Sequence, residues 1–206
     1  AIAQRHGLAI VFGYAERNPA GKPFNAVQLI DPDGVCRMNY RKTHLFGDVD
    51  RAQFSASDIA SQVVEWRGWR LGLLICYDVE FPETVRLLAL QSVDLVLVPT
   101  ANMRGYDEVP TLLVPARACE NRVFVAYANA CGDEGELHYG GLSTVADASG
   151  QVLHIAGRDA GLHIVRLSRS TLAQARRHDP LADRRADLYG PLSVTPNARP
   201  RGPVRP

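Results

Sequence analysis

The stretch that most constrains this chain is Leu73-Leu74-Ile75-Cys76-Tyr77-Asp78-Val79-Glu80-Phe81-Pro82-Glu83. An apolar run stops abruptly at a cysteine. Pro82 then opens a helix pattern that reaches about Ser92, with Val85, Leu88 and Ala89 on one face. A buried strand feeding a helix is half of a β-α-β unit, and open α/β sheets keep their chemistry at the carboxyl ends of such strands. The series continues with an apolar run from Asp94 to Pro99, a helix pattern over Thr111 to Asn121 and another run from Val123 to Ala130.

Hairpins flank this core. Leu8 to Tyr14 reads as a buried strand, and Asn25 to Ile30 as a second. The turn Asp31-Pro32-Asp33-Gly34 then returns the chain through Val35 to Arg41. Thr43 to Ser61 is polar and loop-like, and Val63 to Trp66 pairs with Trp69 to Cys76. Gly141 to Ala148, Gln151 to Ile155 and Gly161 to Leu167 read as three short strands. Ser168 to Arg177 is a last helix with Ser168 as its cap. These elements predict one layered α/β domain with a mixed sheet over residues 1–190. Residues 191–206, rich in proline, arginine and glycine, read as a disordered tail or an arm over a neighbour.

With 206 residues the chain can bury one sizeable core. A net charge of +1 gives no reason to expect nucleic acid or an anionic membrane as partner. No apolar stretch approaches the roughly 20 residues that span a bilayer. Cys36, Cys76, Cys119 and Cys131 are widely spaced without a C-x-x-C pair, so neither a disulfide framework nor a zinc ribbon is indicated. Phosphate-cradling glycine motifs and metal-binding signatures are also missing from the sequence, so no cofactor is expected. A cytoplasmic location is the expectation.

The chemistry narrows quickly. Only Lys22 and Lys42 of the 23 basic residues are lysines, and arginine effectively cannot give up its proton. Cys76 is the leading nucleophile, since a thiolate is favoured near positive charge and helix N-termini. A sharp strand-to-helix bend would let the amide of Cys76 or Tyr77 face a developing oxyanion. The competing reading is a small buried hydrophobe, which is the reading for Cys36, Cys119 and Cys131. Lys42, at a strand end amid Tyr40, Leu45 and Phe46, suits stabilisation of an oxyanion; otherwise it is a solvated surface charge. Asp48, Asp50 or Asp58 is placed to pair with it, or merely solvates the loop. His44, or less readily His138, offers an alternative base in a Cys–His arrangement. Glu80 and Glu83 suit the dipole of the following helix.

Taken jointly, the motifs resemble the nitrilase superfamily of carbon–nitrogen hydrolases. They are Tyr40-Arg41-Lys42-Thr43-His44-Leu45-Phe46, Gly72-Leu73-Leu74-Ile75-Cys76-Tyr77-Asp78 with Phe81-Pro82-Glu83, Val98-Pro99-Thr100-Ala101-Asn102, Arg117-Ala118-Cys119-Glu120-Asn121-Arg122 and Asp187-Leu188-Tyr189. The match runs from about residue 7 to 190. The resemblance implies an α-β-β-α sandwich that pairs with a second subunit, a small amide or nitrile as substrate, and an amidase-type activity. Aliphatic amides, ω-amides of keto acids and carboxamides of small cyclic amines are all open. Cys76 would be the nucleophile, Lys42 the stabiliser of the tetrahedral intermediate and the amide of Tyr77 a further oxyanion donor. Asn102 and Glu120 would lie near the substrate, Glu120 alternatively at the subunit contact. The family's second glutamate falls on Asp50, one methylene shorter. The family's general base, a glutamate, would precede Ala1, together with two β-α units of about 60 residues in all. The expectation is therefore an N-terminally truncated enzyme that is inactive as written.

Overall fold

The computed structural model of the protein describes residues 2–194. In chain order its regular elements begin with α1 (Ile2–His6), β1 (Ile10–Glu16), β2 (Phe24–Ile30), β3 (Cys36–Arg41) and α2 (Gly47–Gln53). Then come β4 (Val63–Trp66), β5 (Trp69–Leu73), α3 (Pro82–Leu90), β6 (Leu95–Thr100), α4 (Val114–Asn121) and β7 (Phe124–Asn129). The series ends with β8 (Cys131–Glu134), β9 (Leu137–Gly140), β10 (Thr144–Ala146), β11 (Val152–Ile155) and α5 (Arg169–Ala175). Among these residues no helix is long and apolar enough to cross a membrane.

The strands form a six-stranded sheet ordered β11-β10-β7-β6-β5-β4, a three-stranded sheet ordered β1-β2-β3 and the separate ribbon β8-β9. In the large sheet β5, β6 and β7 are parallel, while β4, β10 and β11 are antiparallel to their neighbours. That is the mixed sheet the sequence predicts. Its parallel centre follows from the apolar runs: Leu73, Val96, Val98, Val123 and Val125 are all at most 1% exposed. Arg67 and Gly68 both take positive φ, 51° and 75°, which suits the tight two-residue link between β4 and β5.

One core joins three layers. Val27, Leu29 and Tyr40 of the small sheet cluster with Leu73, Val96 and Val98 of the large one. Val85 and Leu88 of α3 and Val114 and Ala118 of α4 complete the same cluster. Pro82 occupies the first position of α3, as the sequence suggests. Gly72 lets α3 approach β5 closely, since a Cβ there would stand 2.9 Å from a Leu88 methyl.

Several expectations need correction. The first strand is not buried: β1 is an edge strand with its residues half or fully exposed, Phe12 at 38%, because the small sheet leaves that edge unpaired. The polar segment 43–61 contains α2, whose short length hides its periodicity. The helix predicted from Thr111 is a π-type turn over Val109–Leu113 followed by α4. Residues 161–167 form no strand, and Leu162 and Ile164 stand 91% and 92% exposed with no neighbour to pair with. Ser168 sits at the cap position of α5 without capping it, its hydroxyl 2.6 Å from that of Ser170. The ribbon β8-β9 was not anticipated. Of the predicted tail, Pro191, Leu192 and Ser193 belong to a 3-10 turn starting at Gly190, and residues 195–206 lie outside the described residues.

The two sheets are also tied together by one buried carboxylate. Asp78, fully buried in the 3-10 turn Cys76–Glu80, accepts from Tyr40 Oη (3.0 Å), Thr43 Oγ1 (3.1 Å), His44 N (3.0 Å) and Ile75 N (3.1 Å). The His44 ring adds a contact at 3.1 Å. The segment leaving β3 is thereby clamped to the turn that follows β5. Two outcomes are expected in urea unfolding. Asp78→Ala should lower stability by at least about 3 kcal/mol, because it strands several buried donors at once. Leu88→Ala should cost about 2–5 kcal/mol through the cavity left between α3 and β5.

Candidate active site

The clamp has a chemical consequence: it brings Lys42 and Cys76 to one cleft. Lys42 follows β3 directly, and its backbone is held on both sides, its N–H donating to Asn25 O (2.8 Å) and its carbonyl accepting from Ser57 N (3.0 Å). The side chain then runs inward, 2% exposed, and its Nζ meets Asp50 Oδ2 at 2.5 Å. Asp50 reaches it from α2, its own carboxylate oriented by Phe46 N at 3.0 Å. A side chain this deep is accommodated by so close a carboxylate partner. The surface-charge reading of Lys42 is thus excluded, and Asp50 is the aspartate that pairs with it.

Cys76 opens the 3-10 turn after β5 with φ at +47°, a left-handed conformation that costs a residue with a Cβ roughly 1–3 kcal/mol. The turn is held by Asp78 from inside and by Arg117 from α4. Arg117 is 8% exposed and donates to Val79 O (3.0 Å) and Glu80 O (2.6 Å). Burial pushes the Cys76 thiol up from its ordinary value; the Lys42 ammonium and the N–H of Ala101, which bonds the sulfur, pull it down, and Glu80 and Asp50 push it further up. Burial thus disfavours the thiolate of Cys76, and the neighbouring ammonium favours it.

The cleft has a volume of about 1190 Å³, and its lining includes Lys42, Asp50, Cys76, Glu80 and Asn102. Phe46 and Tyr106 form an aromatic wall, their rings 5.7 Å apart and edge to face. The ribbon β8-β9 closes the other side through residues that include Leu137, His138 and Tyr139. Glu80 is the unusual member. Burial, then the nearby Glu108 carboxylate, push it up to about 7, against the pull of Lys42 and Arg117.

The remaining candidates divide. Asn102 lines the cleft, 7% exposed, yet its polar groups serve the frame: its N–H donates to Asn129 Oδ1 (2.7 Å), its Nδ2 to Tyr106 O (3.3 Å), and its carbonyl accepts from Gly140 N (2.8 Å). Tyr77 follows the sulfur directly, but its ring packs between Phe46 and Phe81, at 5.2 and 4.9 Å. Glu120 does not line the cleft; it pairs with Arg117 at 3.2 Å on the far side of the turn. His44 turns to Asp78 and stacks on Phe81 at 4.1 Å, outside the cleft lining. His138 lines the cleft but is held by Asp133 at 2.8 Å. Asp48 lies on the rim with its carboxylate in solvent. Sequence reasoning missed the structural parts of Asp78 and Arg117, although both stand inside quoted motifs. A charged residue at a buried helix-like position was the available signal.

Comparison with known proteins places this geometry. The carbon–nitrogen hydrolase family model matches residues 1–177. A protein of Pseudomonas protegens described as a hydrolase in the pqqF 5' region is 50% identical over 194 residues, covering 94% of this chain and 68% of that protein. An (R)-stereoselective amidase of a Pseudomonas species is 42% identical, covering 97% of this chain and 72% of its own length. Among solved structures, an amidase from Nesterenkonia sp. AN1 superposes with a TM-score of 0.83 at 39% identity, over 91% of this chain and 70% of that one. In that structure, of a glutamate-to-glutamine mutant, acrylamide has added to the active-site cysteine. Through its matched motifs, its mixed-sheet fold and these relatives, the chain belongs to the carbon–nitrogen hydrolases, as an amidase-like member of the nitrilase superfamily.

Proposed function

We propose that the protein hydrolyses small amides through a thioester on Cys76, with Lys42 as its electrophilic partner. The observation that carries this reading is the convergence of a strained strand-end cysteine and a buried, carboxylate-paired lysine on one cleft. The reading takes its general base, a glutamate, from sequence preceding Ala1, as the family resemblance implies.

In this reaction the base removes the Cys76 proton and Sγ attacks the amide carbon. A C–S bond forms, and the C=O electron pair moves onto oxygen. The Lys42 ammonium and the Tyr77 amide donate to that oxyanion. As the carbonyl reforms, the C–N bond breaks and the nitrogen leaves with the proton held by the base, as ammonia when the amide is primary. Water, deprotonated by the same base, then attacks the thioester. The C–S bond breaks, and Cys76 leaves as thiolate and regains its proton as the carboxylic acid departs. Asp50 acts as a positioning residue, holding the Lys42 ammonium in place. Glu120 and Asn102 hold the frame around the turn and the cleft wall.

An amide substrate is favoured by the company the chain keeps. Other structures of the Nesterenkonia amidase hold butyramide in a cysteine-to-alanine mutant. An omega-amidase of Mus musculus is 32% identical over 95% of this chain. A nitrile would enter the same chemistry through a thioimidate. The Cys–His alternative loses support because His44 is not among the residues that line the cleft with Cys76. Pairing with a second subunit accompanies the proposal as a family expectation, and a cytoplasmic location as an expectation from the sequence composition.

Three results are expected. A chloroacetamide probe, read by mass spectrometry, should label Cys76 before Cys36, Cys119 and Cys131, even though Cys36 is the exposed one; uniform slow labelling overturns the reading. In the N-terminally extended protein, Lys42→Met should lower kcat/KM for butyramide by about 10³-fold or more, the scale of a lost oxyanion donor. Residues 1–206 alone should show no turnover beside that extended form, and equal turnover by the two removes the external base from the mechanism.

A further inference from the structure

Glu80 is not used by the mechanism above, yet it lines the same cleft as the reactive sulfur, four residues beyond it in the 3-10 turn. Its backbone is fixed there by Arg117, which donates to its carbonyl at 2.6 Å. Its carboxylate makes no hydrogen bond and no ion pair among the described residues. It is close enough to act electrostatically on Cys76, Lys42 and Glu108. The one ammonium at the site is already neutralised by Asp50 at 2.5 Å. Farther out, Asp133, Glu134 and Glu136 bring three more carboxylates to the ribbon wall, against Arg104 and His138. Above about pH 7, where Glu80 is ionised, a substrate arriving at Cys76 therefore meets a surplus of negative charge, with a carboxylate at its inner end that feels Lys42 and Arg117 but is directly paired with neither.

We propose that Glu80 is a specificity residue that makes this a hydrolase of amides with neutral or cationic acyl groups, and that excludes amides carrying a second carboxylate. The inference rests on the hydrolase reading given above and narrows it. The physical cause is that a carboxylate on the substrate would be brought beside Glu80 in a site with little water to screen the pair, while an ammonium there would gain the partner that Glu80 lacks. The ω-amides of keto acids thus leave the list of open substrates, and the carboxamides of amines remain on it. This sets the chain apart from its relatives named for acidic amides, such as the 2-oxoglutaramate amidase of Bacillus subtilis.

The test compares three amides of one chain length in the full-length natural protein, butyramide, γ-aminobutyramide and succinamate, at about pH 8.5, above the value of about 7 to which Glu80 is pushed. The expected order of kcat/KM is γ-aminobutyramide at or above butyramide, with succinamate roughly 100-fold below the cation. Glu80→Gln should shrink the cation-to-anion ratio about tenfold, and Glu80→Arg should bring succinamate above γ-aminobutyramide. Each ratio is read within one protein sample, so a loss of folded enzyme cancels. Equal turnover of γ-aminobutyramide and succinamate by the natural protein, or a ratio unmoved by Glu80→Gln, overturns the inference and leaves the hydrolase reading standing. Failure to hydrolyse any of the three overturns both.

Discussion

The buried carboxylate of Asp78 is the interaction on which the rest of this structure depends. A carboxylate with no exposure has to be fully satisfied, and Asp78 draws its donors from the ends of two sheets that otherwise meet only through apolar packing at this point. Tyr40, Thr43 and His44 come from the end of the small sheet, and Ile75 comes from the end of the large one. Each donor alone contributes modestly, and Tyr40, Thr43 and His44 are also linked to one another, Tyr40 Oη to Thr43 Oγ1 at 3.1 Å and Thr43 Oγ1 to His44 Nδ1 at 2.9 Å, so the carboxylate sits at the centre of a connected network. The network therefore specifies how the two sheets meet, and with it how Lys42 and Cys76 meet. The burial of Tyr40 beside this carboxylate also holds its phenol firmly protonated, so it remains a donor.

Position and charge act together at the sulfur. The Cys76 thiol is raised by desolvation and pulled down by the Lys42 ammonium and the Ala101 N–H, so burial and charge oppose one another at the sulfur. The Lys42–Asp50 pair supplies an ammonium with no need to recruit one from solvent, and pre-placed charge is where most of the benefit in such sites lies. Asp50 is one methylene shorter than a glutamate, yet it closes to hydrogen-bond distance because α2 carries it toward the lysine. The left-handed backbone at Cys76 is held by Asp78 and Arg117 from two directions, which is how a strained residue survives at the head of a turn.

How much of this could be read from the sequence depends on range. The β-α-β centre was legible because its strands carry continuous apolar runs, most of whose residues are buried or half-buried. Cys76 and Lys42 stood out because each sits where an element ends. Proximity was legible only through the family resemblance, which puts the second acidic residue at Asp50; the local pattern alone does not select it over Asp48 or Asp58, since α2 is too short to show a period. The exposed strand β1 looked buried because an edge strand and a central strand can carry the same apolar run. Residues 161–167 alternate like a strand, yet they find no edge to pair with among the described residues. Glu80 read as a dipole residue because its role depends on what surrounds it in space.

The ribbon β8-β9 stands apart from both sheets in its hydrogen bonding and touches the rest near Asn102 and Met103, through Gly140 N to Asn102 O at 2.8 Å and a bridge between Met103 and Tyr139. Gly140 permits that approach, since a Cβ there would lie 3.2 Å from Met103 O. One face of the cleft is thus built as an attachment, anchored at its root and free to vary at its tip. The root of the ribbon steadies the segment whose Ala101 N–H bonds the sulfur, while its tip, around residues 134–137, is a place to remodel access and selectivity at a distance from the sulfur and the ammonium.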